Sequence, residues 1–269
     1  MERFLSKRAR RQHVVSKFYL KGFANTSDRV CRVTLPGEQS HSLSISDAGV
    51  IKDFYTITLP DGSQSDAFEC AFGNVEGSAA EAFRAIVQGI WPLTGERRAA
   101  LAEWIALQHL RSEDVRASQG AMNAEMIRLI VGGSGKEALR RVIEKAEGRS
   151  VSEEELDWEW RDITKPGGPD LEPNVREHLQ LLMSLLDGTS RYLHDCHWTL
   201  YRFSRRALIT SDHPVSLLVD SNYPSWQGIG IVTADLFLVP LSRRLALTIQ
   251  PRHRLPTNFG AVPDFIYPG

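Results

Sequence analysis

Three sets of side chains in this chain have the types and spacing to do chemistry. In Ile209-Thr210-Ser211-Asp212-His213-Pro214-Val215 a hydroxyl, a carboxylate and an imidazole meet at a polar corner. The corner lies between the apolar Ala207-Leu208-Ile209 and Val215-Ser216-Leu217-Leu218-Val219. Pro214 fixes its own φ and biases His213 away from helix, so the segment reads as strand, corner, strand. Strand ends that deliver such groups to one rim are common places for chemistry. The same residues also suit an ordinary turn in which Asp212 caps its own backbone.

The second set is Gln108 and Arg111. At 100° per residue both fall on the face marked by Leu101, Trp104 and Ile105, with Arg111 beside Trp104. An unpaired guanidinium there is costly, so a carboxylate partner is expected. The preceding helical stretch supplies the third set. Glu69 and Glu76 share nearly one azimuth and border Phe72 and Val75. Arg111 is therefore predicted to be buried and bonded to Glu69 or Glu76.

Brought together, these residues outline a metal-assisted hydrolase of phosphodiester or nucleotide substrates. Asp212, His13 and Arg111 would be catalytic, with His13 or His213 as acid or base near neutral pH. Glu69, Glu76 and Asp212 would hold a divalent cation such as Mg²⁺. Lys17, Gln108 and Ser211 would contact substrate, Lys17 and Arg111 facing phosphate oxygens of a nucleotide or nucleic acid. The alternative is a non-catalytic ligand-sensing or protein-interaction module whose Glu–Arg network only ties two helices together.

Other patterns carry less. His194-Asp195-Cys196-His197 has an H-x-x-H spacing, but at a strand start the two imidazoles would face opposite ways, which spoils a shared zinc. Ser211 lacks the glycines of a nucleophile elbow. Gly132, Gly133 and Gly135 precede a helix without the Gly-Lys-Ser/Thr of a phosphate loop. Tyr223, Trp226 and Tyr267 could stack on a base, though scattered aromatics more often mean partial burial.

The elements that must position these groups follow from pattern. With 269 residues, 42% hydrophobic and 24% charged, the chain has the composition of a folded protein and is read as one domain, 1–269. A net charge of −1 names no partner, although seven bases crowd residues 3–21 against Glu2. Three widely spaced cysteines argue against a disulfide framework or a thiolate zinc site. No secretory signal and no membrane-length apolar run is present, so a cytoplasmic protein is expected.

Residues 12–64 read as a short helix and a strand meander, with strands at 29–35, 41–45 and 54–59. Residues 65–190 read as helical, one long helix running from Thr94 through Val115. A mobile arm is expected near 132–168, where apolar anchors are few between two glycine breaks. Residues 196–250 read as strand-rich, with strands at 230–240 and 245–249. The expected class is α+β: a mixed sheet of N- and C-terminal strands with the helical middle packed over it.

The order of landmarks resembles a bacterial and phage domain-of-unknown-function family, family 4238. Its members open with H-x-V-P-Q-F-Y-L-x-x-F and later carry T-S-D-x-P-V. Here the matching stretches are His13-Val14-Val15-Ser16-Lys17-Phe18-Tyr19-Leu20-Lys21-Gly22-Phe23 and Thr210-Ser211-Asp212-His213-Pro214-Val215. The acidic helix would be Glu69–Glu76, and the Q-x-x-R helix Gln108-His109-Leu110-Arg111. Ser16 and Lys17 stand where the family usually has Pro and Gln. The resemblance implies no reaction. It implies that these distant pieces belong together.

Overall fold

A computed structural model describes residues 10–37, 39–171, 174–224, 226–255 and the backbone of 265–266. The chain is α+β and divides into two compact units. One holds the residues up to Ser112 and from Leu179 onward, and the other is Glu113–His178.

The first unit opens with β1 (Arg11–His13), α1 (Lys17–Leu20), β2 (Arg29–Thr34), β3 (Gln39–Ser44), β4 (Val50–Lys52), β5 (Ile57–Thr58) and β6 (Gln64–Ser65). These strands do not form one meander and do not join the C-terminal sheet. They make three separate antiparallel pairs, β1–β4, β2–β3 and β5–β6. The reason is visible in burial. β2 and β3 are almost wholly exposed and offer no apolar face to a larger sheet. The expected strand at 54–59 fails differently. Phe54 and Tyr55 are adjacent and both buried, which period-two alternation forbids, and Tyr55 stacks edge-on against Phe72 at 5.1 Å. Only Ile57 and Thr58 remain extended.

Two helices follow, α2 (Ala67–Val87) and α3 (Gly95–Leu110), packed on each other. α2 buries Phe72, Ala79, Ala82, Ala85 and Ile86. α3 buries nearly its whole second half, from Leu101 to Leu110, Glu103 and His109 excepted. The single helix expected through Val115 instead ends at Leu110. Arg111 is its αR C-cap, and a new helix starts at Glu113.

The second unit is helical: α4 (Glu113–Ser134), α5 (Lys136–Glu147) and α6 (Glu153–Thr164). Leu139, Val151 and Leu156 form its core, flanked by Val131, Ile143, Trp160 and Ile163. The residues expected as an arm near 132–168 are thus the end of α4 with α5 and α6. The chain break comes at Gly135 (φ 85°), since α4 runs through Gly132 and Gly133. Ser152 and Glu155 start α6 with a reciprocal capping box.

α7 (Val175–Asp195) leads back into the first unit and to β7 (His197–Arg202), β8 (Ser216–Leu218), β9 (Leu236–Ser242), β10 (Leu245–Gln250) and β11 (Phe265–Ile266). They form one sheet in the order β11-β7-β10-β9-β8, antiparallel except for β11 beside β7. The strand expected at 230–240 begins only at Leu236, because Gly230–Thr233 closes a turn through Thr233 Oγ1. Residues 207–209 are not strand either. Tyr192 of α7 meets Phe237 of β9 at 6.5 Å, and Trp198 Nε1 donates to Leu193 O at 2.8 Å.

Candidate functional site

The opening motif is short-range structure clamped by long-range bonds. β1 ends at His13, and Val14 N–H donates to Gly49 O at 2.8 Å. Gly49 has φ +63°, and a Cβ there would sit 3.0 Å from Val15 Cβ, so the close approach requires glycine. The chain then dives inward, and Val14, Val15 and Ser16 are all buried.

Ser16 is the centre of the site. Its Oγ donates to Glu76 Oε1 at 2.8 Å and accepts from Trp104 Nε1 and Arg111 Nη2, each at 2.8 Å. One donor and two acceptor positions are thereby filled. Gln108 Nε2 donates to Val14 O at 2.7 Å, while its Oε1 accepts from Arg111 Nη2 at 2.7 Å. Arg111 Nη2 also lies 2.9 Å from Glu76 Oε1. The Arg111 side chain is 1% exposed and that of Glu76 23%. Three elements are therefore pinned at one point: the segment before α1, α2 through Glu76, and α3 through Trp104, Gln108 and Arg111.

An aromatic wall backs this polar centre. Trp104 receives the rings of Phe18, Tyr19 and Phe83 at 5.5, 5.3 and 5.1 Å. Such a wall lowers the local dielectric and strengthens each bond it covers. Arg111 also lies over the Phe72 ring at 5.9 Å.

Two titratable groups at the edge depart from ordinary behaviour. Burial holds the His13 imidazole below its usual pKa despite the opposing pull of Glu76. Burial raises the Glu69 carboxyl, and the hydrogen bond from His13 N–H and the charge of Arg111 only partly offset this. Three atoms in this cluster are buried without a partner: His13 Nε2, Glu69 Oε2 and Arg111 Nε. Orphaned buried atoms are rare in folded proteins, and an ordered water, local strain or a bound group accounts for those that occur.

The later motif reaches the same region by another contact. Tyr19 and Thr210 hydroxyls lie 2.6 Å apart. Ser211, not Asp212, closes the turn: its Oγ donates to His213 O at 2.9 Å and accepts from His213 N–H at 3.1 Å. Asp212 is exposed on this turn, and Lys17 is exposed on α1. His109 faces this loop, its pKa driven down to about 4 by burial and by His213.

Of the residues marked in the sequence, the structure thus gathers His13, Glu69, Glu76, Gln108 and Arg111. Among the described residues no three His, Cys, Asp or Glu side chains come together to hold a metal, so Glu69, Glu76 and Asp212 do not assemble one donor set. His194 and His197 line one cavity rather than opposite faces, because His194 belongs to the helix and only His197 to the strand. Sequence reasoning missed Ser16 as a hub and Trp104 as a donor. The signal in the sequence was slight: Ser16 is a lone serine two positions before Phe18-Tyr19-Leu20.

Fold and site together define an α+β protein whose N-terminal motif is locked onto a helix pair through a buried Ser–Gln–Arg–Glu network. The chain belongs to the family described as a protein of unknown function (DUF4238), whose model matches residues 11–259. No curated protein and no solved structure matches it. No helix among the described residues is long and apolar enough to cross a membrane.

Proposed function

We propose that this chain is a non-catalytic ligand-sensing module, and that the ligand meets His13, Glu69 and Glu76 at the edge of the Arg111 network. The observation that carries this reading is the internal use of Arg111 Nη2 by Ser16, Gln108 and Glu76. A guanidinium so engaged serves the fold, not a phosphate. The orphaned Nε2 of His13 and Oε2 of Glu69 offer polar positions to a small molecule. Binding there would tighten the contact between the opening motif and α2, which gives a route from ligand to fold.

A second reading has its own support. Burial disfavours the charged form of both His13 and Glu69 in one polar cluster, which favours a neutral imidazole beside a protonated carboxyl. It keeps the hydrolase of phosphodiester or nucleotide substrates, with His13 as base and Glu69 as acid.

One experiment separates the two. Wild type, Glu69→Gln and His13→Asn are titrated calorimetrically with nucleotides, short single-stranded DNA and Mg²⁺, and each mixture is assayed for product. Binding without turnover, weakened at least about tenfold in Glu69→Gln, supports the sensing module. Turnover by wild type that a folded His13→Asn loses would replace it with the hydrolase.

A further inference from the structure

The helical unit Glu113–His178 carries an apolar surface that the network above does not use. α4 buries Gly120 and Ala124, and Val131 packs against the core of Leu139, Val151 and Leu156. Ala124 and Val131 are seven residues apart and so share one face of the helix. Met122, Met126, Leu129 and Ile130 stand at i, i+4, i+7 and i+8 and mark the opposite face. They are 59%, 53%, 59% and 61% exposed. A surface helix ordinarily turns apolar residues to its core and charged ones to water. α4 is apolar on both sides, which is the pattern of a helix held between two layers.

We propose that this face of α4 is an interface with a second copy of the chain, which lays its own α4 against it. Charge argues for that occupant. From Ala117 to Ser134 the sequence has two charged residues, Glu125 and Arg128. They flank the strip and are bonded to each other, Arg128 Nε donating to Glu125 Oε2 at 2.7 Å. A pair satisfied in this way brings no net charge to steer a nucleic acid, a phosphate or a charged peptide. An uncharged apolar strip is instead complementary to another like it, and a two-fold axis brings the same strip to both sides. Area points the same way. The four side chains present on the order of 400 Å² of apolar surface, a patch size that is often functional on a monomer. Two copies with their flanking residues bury about 1,000 Å², where specific association begins. Methionine adapts its shape to a partner, and Gly133 on the same face has nothing within 4 Å of an added Cβ, so a helix can approach closely at that end.

Sedimentation equilibrium of the full chain from about 1 to 200 µM tests this, a span suited to an interface of this size. A shift from monomer to dimer mass is expected across it. Met126→Glu puts a charge in the middle of the strip and should weaken association at least about tenfold, with an unchanged melting temperature in dilute solution. A covalent readout does not depend on that variant. Cys31 and Cys70 are exposed and Cys196 is buried, so the background is Cys31→Ser with Cys70→Ser. In it, Met126→Cys should form a disulfide-linked dimer with oxidised glutathione, and Glu137→Cys on α5 should not. A chain that stays monomeric at the highest concentration overturns the proposal. So does dimerisation that folded Met126→Glu leaves unchanged, or cross-linking through Glu137→Cys as ready as through Met126→Cys.

Discussion

Tyr19 and Thr210 lie 191 residues apart in the chain and 2.6 Å apart at their hydroxyl oxygens. Through this contact the loop carrying Ser211, Asp212 and His213 meets the same short helix that follows Ser16. The opening stretch His13–Phe23 and the later stretch Thr210–Val215 are therefore neighbours through a tyrosine, not through a shared carboxylate.

That contact makes a first prediction. Tyr19→Phe keeps the ring against Trp104 and removes the hydroxyl, and a denaturant melt should lose about 1–2 kcal/mol. Burial raises the Tyr19 pKa well above its usual value. A phenol that stays neutral in the folded state stabilises fully below the unfolded pKa, near 10, and that share is lost as pH rises beyond it. Wild type should therefore lose stability above about pH 10 faster than Tyr19→Phe. Parallel alkaline curves would remove this assignment.

Arg111 carries the second prediction. Arg111→Ala leaves Glu76, Ser16 and Gln108 facing a void, and the loss should be about 3–5 kcal/mol in a denaturant melt. The double variant Arg111→Met with Glu76→Gln should cost much less than the two single changes added together, because charge and partner leave at once. Additive losses would mean that the network is not one unit.

How far these features could be read in the sequence differs by residue. Arg111 was legible, since its azimuth on α3 beside Trp104 demanded a partner and α2 offered carboxylates. Of the two, Glu76 takes Arg111 Nη2, while Glu69 takes the His13 amide. The split depends on the crossing of two helices, which azimuth alone does not give. The α+β class was legible from the helical middle between strand blocks. Sheet membership was not, because pairing partners are set by long-range burial, and β2 and β3 alternate well without burying a face. Ser16 was hidden for a related reason: a lone serine has no periodicity, and only three-dimensional convergence makes it a hub.

His109 gives a pH prediction with a definite sign. Its folded pKa, about 4, lies below the ordinary value of 6.5, through burial first and His213 second. A histidine kept neutral in the fold contributes stability above pH 6.5, and that contribution is lost as pH falls towards about 4. The full effect is on the order of 3 kcal/mol at 1.36 kcal/mol per unit. His13 works in the same direction, whereas the raised Glu69 contributes below its unfolded pKa and loses that as pH rises. Melting temperatures of wild type between pH 7 and 4 should fall more steeply than those of His109→Gln. Equal slopes would assign the acid loss to other groups.

Gly22 tests the packing of the opening motif on the sheet. A Cβ there would lie 2.7 Å from Leu241 O and 3.2 Å from Ser242 Cβ, and Gly22 O accepts from Arg243 N–H at 3.1 Å. Backbone cannot step aside as a flexible side chain can, so Gly22→Ala should cost about 1–3 kcal/mol. Gly77 has nothing within 4 Å of its added Cβ and sits inside α2, so Gly77→Ala should be neutral or mildly stabilising. Thermal melts of the pair check the contrast, and equal losses would contradict the approach of the motif to β9.

The last prediction concerns Asp212, the residue on which a hydrolase would lean most. It is exposed on a turn that Ser211 closes through His213. Asp212→Asn removes the charge and keeps the shape, so it should leave the melting temperature within error. Ser211→Ala, which breaks the turn, should cost about 1 kcal/mol. In the sensing reading Asp212→Asn also leaves nucleotide affinity unchanged, because the residues that meet the ligand are His13, Glu69 and Glu76. In the hydrolase reading it abolishes turnover at constant stability. Calorimetric titration of both variants, run beside a phosphodiester assay, decides the matter. A loss of activity in well-folded Asp212→Asn would return Asp212 to the centre of the site.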